Sequence, residues 1–508
     1  MPEPIMSPSL TLALPVILAV LGGAACLLFD AFARPRTAVA ASALGLTAGA
    51  IAAGVVVVDG LVNEIAFLDI AYDMFVVGGG FSFLHFVILA IGAIILWAAL
   101  PVLSETSRGP GQAALLAFTA AASVLLLGAL DILTVLLAFE IIAITGYALV
   151  AAGGSGAADE AAIKYLVQGA LAAAMFVMGL AIMFGLYGGV TDVRILSSFL
   201  QQESSEPALA AMVLLFAAFI FKLGGFPFHS WAPDAYETIR PEVGAFVATA
   251  PKVSAMSALF MIFFRSFSLD GLPLDALFGA GALGERMVWL VAAVAAMSIV
   301  FGNTAALRQS SYTRMLAYSG IAQVGYAVSA MVLSGRAMFH SVFMMVAYAI
   351  AAAGAFLVAA AVYRYRSDWD GSIRGLAGIG RERPLLGFSL AVLMFSLTGI
   401  PMTAGFMGKY LVFAALAVNG WTWLAILGAI GSAVSFGYYG SVLRWAFFED
   451  APADETAEMP QDSTLESPCN ALTWGATVFV ALTLLIGCQP LLMSLDIAAR
   501  LLDLGFGA

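Results

Sequence analysis

Runs of about twenty apolar residues, each long enough to cross a bilayer as an α-helix, recur from one end of this chain to the other, and few features restrict a polypeptide more. They lie near residues 10–28, 37–58, 78–99, 112–129, 131–152, 164–187, 208–228, 243–264, 287–302, 315–334, 339–362, 384–417, 423–446 and 471–490. All are far too long for barrel strands. Hydrocarbon offers the backbone no water, so such segments must satisfy their own N–H and C=O groups as helices. The expected fold class is an all-α polytopic membrane protein of about fourteen transmembrane helices, with the 384–417 span long and interrupted. Repeated Gly and Ala suit close helix contacts. Composition agrees: of 508 residues, 62% are hydrophobic and 10% charged, and the mean hydropathy of +1.01 lies outside the range of soluble domains. The N-terminus lacks a basic region and a small-residue cleavage site, so residues 10–28 read as a first span and not as a removed signal.

The net charge of -11 comes mostly from loop acids, in 59–73 and in the stretch FFEDAPADETAEMPQDSTLE at 447–466. This balance gives no reason to expect a nucleic-acid partner. Cys26, Cys469 and Cys488 have neither metal-ligand spacing nor a pairing pattern and read as small apolar fillers, so no metal and no redox centre is expected in this chain. Arginine sets the orientation. Alternating the loops from an outward N-terminus puts Arg34, Arg36, Arg108, Arg240, Arg308, Arg314, Arg364, Arg366, Arg374, Arg381, Arg383 and Arg444 on one face, and only Arg194, Arg265, Arg286, Arg336 and Arg500 on the other. The richer face is expected in the cytoplasm, with both termini outside it.

Lysine is placed quite differently. The chain has only Lys164, Lys222, Lys252 and Lys409, and each falls inside or at the mouth of an apolar segment. A buried ammonium costs several kcal/mol unless it is paired, hydrated or neutralised, and unlike a guanidinium it can give up its proton. Buried lysine in this pattern therefore points to proton exchange. Snorkelling to the interface is the rival explanation, strongest for Lys164 near the start of its span. Glu140, in DILTVLLAFEIIAITGYALV, lies about nine residues into its helix with no other charge between Asp131 and Asp159. A glutamate facing a lysine can keep both charged, and Glu140 with Lys222 is the expected couple; a neutral glutamate bonded to a neighbouring helix is the alternative.

Two of the lysines accompany breaks. LGGFPFH at 223–229 and LTGIPMT at 397–403 share Gly-x-Pro in an apolar setting, with Lys222 before the first proline and Lys409 after the second. Proline removes an amide and kinks a helix, and glycine lets the backbone turn, so both spans are expected to be discontinuous. Broken helices at matching places in two halves are a mark of inverted repeats.

Taken together these residues resemble a known family. LLAFEIIAITGYALVA with Glu140, EAAIKYLVQGAL with Lys164, FKLGGFPFHSWAPDAYE with Lys222, PKVSAM with Lys252, NTAALRQSSYTRMLAYSGIAQVGY at 303–326 and SLTGIPMTAGFMGKYLVF with Lys409 stand in the order found in the antiporter-like membrane subunits of proton-pumping NADH:quinone oxidoreductase, respiratory complex I, and among these the N-type subunits are the most similar. The resemblance covers about 110–445. It implies transmembrane helices over 1–110, two inverted five-helix halves at 111–265 and 286–446, an acidic loop at 447–470 and a last helix and tail at 471–508. It also implies that Glu140 and Lys222 are the pair of a first half-channel, Lys164 a further lysine there, Lys252 the central connection and Lys409 the terminal residue of the second half-channel. Sibling antiporter-like subunits, other membrane-arm subunits and lipids are the implied partners, in a bacterial inner membrane with periplasmic termini. The FMN, iron–sulfur clusters and quinone of such a complex are expected in other subunits.

The chain departs from the family's usual pattern at Arg240 and Glu242 after the first break, at Thr313 before Arg314, at Gln323 in place of a histidine, and at Met402 in place of a second proline. None removes an expected proton carrier. His229 beside the first break is a candidate for relaying protons or organising water, against a simpler role in hydrogen bonding between helix ends. His340 is a weaker candidate in the second half, and His85 reads as a local hydrogen bonder. The activity implied is proton translocation coupled to quinone reduction elsewhere. A subunit of a cation/proton antiporter or of a related complex with another electron donor would share the same lysines; a solute carrier would need a substrate shell, and a scaffold would need no buried lysine.

Overall fold

The computed structural model describes residues 8–62, 68–71, 75–193, 206–263, 282–333, 337–450 and 463–488. Among them the chain is helical apart from one short antiparallel ladder, in which Leu68–Ala71 pairs with Phe75–Gly78 between the second and third helices. Thirteen helices are long and apolar enough to cross a membrane, and two shorter apolar helices, Pro384–Thr398 and Ala404–Val418, together make the interrupted one. The architecture expected from the apolar runs is the one observed. Two helices begin eight residues early, the sixth at Gly156 and not near 164, and the last at Ser463 and not near 471, because each backbone starts in a more polar stretch, GAADEAAI and STLESP, to which hydropathy is blind.

The helices are α1 (Pro8–Ala31), α2 (Pro35–Val62), α3 (Gly79–Ser104), α4 (Gly109–Leu127), α5 (Ile132–Ala151) and α6 (Gly156–Leu186). A broken pair follows, α7 (Glu206–Leu223) and α8 (Trp231–Thr238), and then α9 (Pro241–Val247) and α10 (Ala250–Phe263). Next come α11 (Ala282–Ala306), α12 (Tyr312–Ser329), α13 (Ala337–Tyr365), the single turn α14 (Ile379–Glu382), the second broken pair α15 (Pro384–Thr398) and α16 (Ala404–Val418), α17 (Thr422–Phe448) and α18 (Ser463–Cys488). Small residues set how near the axes come: a Cβ on Gly45 of α2 would lie 2.6 Å from Gly22 Cα of α1, so this crossing tolerates nothing larger. The Pro241–Phe263 span is wholly buried at the centre, while α6 and α17 lie at the periphery with large apolar side chains facing outward.

Two closures reveal an internal correspondence. Asp131 caps α5, its carboxylate accepting from the Leu133 and Thr134 amides, and it bridges to Asp192 beyond α6. Ser311 caps α12, its hydroxyl accepting from the Arg314 amide, and it bridges to Ser372 beyond α13. One shift of 180 residues carries 131 to 311 and 192 to 372. Between the two caps the chain crosses through α5, α6, the α7–α8 pair, the α9–α10 span and α11, an odd number of crossings, so the closures lie on opposite faces. That is the inverted relation expected from the two breaks.

Both breaks stop in the same way. Gly224 (φ +74°) and Gly399 (φ +90°) turn the chain left-handed, where a Cβ would be strained. The next amide reaches back five residues, Gly225 N to Ile220 O at 2.8 Å and Ile400 N to Phe395 O at 3.0 Å, which is the Schellman closure of a helix end. Pro227, three residues after Gly224, and Pro401, two after Gly399, prevent the helix from resuming.

Candidate functional site

Three of the four lysines end up in the protein interior: Lys222 is 4%, Lys252 2% and Lys409 4% exposed. Lys222 occupies the last turn of α7, where the helix is about to break, and its Nζ donates to the Phe139 carbonyl of α5 at 3.2 Å and lies 4.9 Å from the Phe139 ring centre. Lys252 lies between Tyr236 of α8 and Tyr348 of α13, 5.6 Å from each ring centre. A ring face attracts a cation without neutralising it. Lys222 and Lys252 share a narrow cavity with Thr119, Tyr165 and Trp231, with roughly 10 Å³ open to water centres, about the space of one water molecule.

Lys409 is held by the second break itself. Its Nζ donates to Leu397 O at 2.9 Å and Thr398 O at 2.7 Å, the carbonyls that the end of α15 leaves free, and to Ser432 Oγ of α17 at 3.1 Å. A cation at a helix C-terminus is favoured both by these orphan acceptors and by the helix dipole. Gln323 Nε2 of α12 donates to the same Leu397 O at 2.9 Å, and Ser432 Oγ donates to Thr398 O at 2.7 Å. Lys409 also sits 5.0 Å from the Tyr326 ring centre. From Tyr326 a neutral chain runs on, since Asn303 Nδ2 donates to Tyr326 Oη and Tyr438 Oη donates to Asn303 Oδ1, both at 3.0 Å.

The expected Glu140–Lys222 couple is close enough to interact electrostatically but is not an ion pair: the lysine bonds to the carbonyl of Phe139, the neighbouring residue, and the buried Glu140 Oε1 has no hydrogen-bond partner among the described residues. Glu140 is only half-buried, on a side of α5 where Leu137, Ile141 and Ile144 are exposed. Lys164 is not buried. Its side chain is about half exposed and pairs with Glu160 at 2.8 Å and with Asp234 of α8 at 2.9 Å. Asp234 also receives Arg314 Nη1 of α12 at 2.8 Å, and the same guanidinium nitrogen reaches Glu237 at 2.8 Å. Partial burial works against the Asp234 carboxylate, but its bonds to Lys164 and Arg314 outweigh this and hold its carboxyl below the ordinary value. Thus α8 is tied to the first half through Lys164 and to the second through Arg314.

His229 packs in the first break between Phe226 and Phe301, with ring centres 5.6 Å and 4.4 Å away, and its buried Nδ1 has no partner among the described residues. Among the described residues no hydrogen bond joins it to a lysine. His85 corrects an expectation: it is buried with neither ring nitrogen partnered among the described residues, so it is not a local hydrogen bonder. His340 likewise has a buried, unpartnered Nδ1. The unusual Arg240 and Glu242 neutralise one another, with Arg240 Nε 2.6 Å from the buried Glu242 Oε1. Reasoning from sequence did not foresee the roles of Ser432, Asn303, Tyr236, Tyr348 and Tyr438 around the lysines, and read Gln323 only as a departure. The one available signal was their polarity within apolar helices, which ordinary interhelical contacts share.

The family described as NADH:quinone oxidoreductase/Mrp antiporter, TM matches residues 129–435. NADH-quinone oxidoreductase subunit N of Heliobacterium modesticaldum is 35% identical over 345 residues, 67% of this chain and 69% of that one. F(420)H(2) dehydrogenase subunit N of Methanosarcina mazei is 30% identical over 421 residues, 80% of each. Among solved structures, a chain of respiratory complex I from Thermus thermophilus superposes with a TM-score of 0.72 at 28% identity, covering 94% of this chain and 97% of that one. The family match takes in both broken helices and all four lysines, and the chain therefore belongs to the NADH:quinone oxidoreductase/Mrp antiporter family of membrane proteins.

Proposed function

We propose that this multi-pass membrane protein is the proton-translocating, N-type subunit of an NADH:quinone oxidoreductase. The observation that carries the reading is that Lys222, Lys252 and Lys409 are each almost wholly buried with no carboxylate in contact among the described residues, two of them at the stops of broken helices. A proton enters from the cytoplasmic side near the first break, charges Lys222, passes by way of Lys252 to Lys409 and leaves on the outer side. Glu140, half-buried and with its Oε1 unpartnered among the described residues, modulates Lys222 through space. Lys164 and His229 stand at the approach to this path and not in it: Lys164 is engaged with Asp234 and His229 with two rings.

The division into halves at 111–265 and 286–446 is supported by the repeated cap and bridge, 180 residues apart. Driving energy comes from quinone reduction in partner subunits, together with their FMN and iron–sulfur clusters. Among the described residues no three His, Cys, Asp or Glu side chains converge, and no step of the path runs through those groups. Sibling antiporter-like subunits and lipids surround the chain in a bacterial inner membrane, with its termini on the periplasmic side.

The test is proton pumping and electron transfer measured side by side in membranes whose complex carries Lys222→Ala, with assembly followed on a native gel. The expected result is an assembled complex whose pumping and coupled turnover fall about tenfold or more, the scale of a lost proton-transfer group. Unchanged pumping in that complex would overturn the reading. The match to a subunit of F(420)H(2) dehydrogenase favours a second reading, in which the same subunit serves a complex with another electron donor. Purifying the complex and asking which donor it oxidises separates the two.

A further inference from the structure

The shells of the three buried lysines differ in one chemical respect. Lys222 donates to a carbonyl and Lys252 faces two rings, whereas Lys409 donates to two carbonyls and one hydroxyl, Ser432 Oγ. A carbonyl oxygen can only accept; a hydroxyl can accept and donate. With Lys409 charged, all three of its N–H donors are met, and the Ser432 proton points at Thr398 O. Once Lys409 is neutral its nitrogen has a lone pair, and neither carbonyl can serve it. Ser432 can, by turning its O–H from Thr398 O to Nζ.

The same serine faces outward. Lys409, Thr398 and Ser432 form the polar floor of a cavity of ≈600 Å³ between α16 and α17, whose walls include Phe406, Phe413 and Phe436. Water needs two to four polar partners to settle in a cavity, and Lys409, Thr398 and Ser432 on the floor supply them, with Tyr410 and Thr422 elsewhere in the lining.

Building on the reading of Lys409 as a proton carrier, we propose that Ser432 is the group through which Lys409 exchanges its proton with water on the cavity floor. In the outward step the Ser432 O–H turns from Thr398 O to the water, the Lys409 Nζ–H bond breaks as a bond forms to Ser432 Oγ, and the original hydroxyl proton passes to the water, which becomes hydronium. The products are a neutral amine and an intact hydroxyl. Reversal reloads the lysine.

Ser432→Ala, Ser432→Thr and Lys409→Met in the full complex test this, with assembly, electron transfer, proton pumping across pH and the solvent deuterium isotope effect as readouts. We expect Ser432→Ala to assemble and to pump about tenfold slower or worse, with an altered pH profile, and Ser432→Thr, which keeps the hydroxyl, to restore both. Should Ser432→Ala fail to assemble, Ser432→Gly removes the hydroxyl with less steric demand and carries the same expectation. Wild-type pumping and pH profile in Ser432→Ala, alongside loss of pumping in Lys409→Met, overturn the role of Ser432 alone. Wild-type pumping in Lys409→Met overturns the proton path on which it rests.

Discussion

The lysines were legible because charge in an apolar run is costly, and the few such residues that a chain retains stand out from its sequence. Their surroundings were not. Glu140 and Lys222 lie in separate helices, and nothing in either segment shows that the lysine bonds to the carbonyl beside the glutamate instead of to its carboxylate. Lys164 looked like its siblings in sequence, yet its acids arrive from Glu160 one turn earlier and from Asp234 seventy residues away. Lys252 offers the sharpest test at this scale. Between Tyr236 and Tyr348 an arginine would keep its charge and its attraction to the rings but could not release a proton. We expect Lys252→Arg to assemble and to abolish pumping, read with a pH-sensitive dye in inverted vesicles; pumping at the wild-type rate would leave Lys252 a packing residue.

At the scale of elements, Gly-x-Pro announced two interrupted helices, and both are interrupted. What the motif did not show is how each end is closed, because the left-handed glycine and its reaching amide are backbone features common to many helix ends. The two glycines differ in what surrounds them. A Cβ on Gly224 would meet nothing nearer than 3.7 Å, while one on Gly399 would lie 2.9 Å from Lys409 Cδ. Alanine at either place carries about 1–2 kcal/mol of backbone strain. We expect Gly224→Ala and Gly399→Ala to lower the melting temperature of the complex by similar amounts, and only Gly399→Ala to depress pumping further, by displacing Lys409. Equal pumping in the two variants would show that the lysine is not held by the turn. The ladder of Leu68–Ala71 with Phe75–Gly78 escaped the sequence reading because each strand has only four residues, and the early start of α18 because STLESP is polar.

For the whole molecule, the inverted relation makes a prediction about sides. Asp192 and Ser372 occupy corresponding places on opposite faces. With Cys26, Cys469 and Cys488 replaced, single cysteines at 192 and 372 should react with a membrane-impermeant maleimide from opposite sides of sealed vesicles; labelling from the same side would contradict the inversion. The correspondence also exposes where the halves are unlike. Glu140 is the ninth residue of α5, and the 180-residue shift carries it to Gly320, the ninth residue of α12. A Cβ at that place would lie 2.7 Å from Tyr348 Oη, so a side chain there would have to push the tyrosine aside. With a carboxylate in one half and a closely packed glycine at the corresponding place in the other, the duplicated architecture is not electrically symmetric, and the two ends of the proposed path offer a proton unlike surroundings.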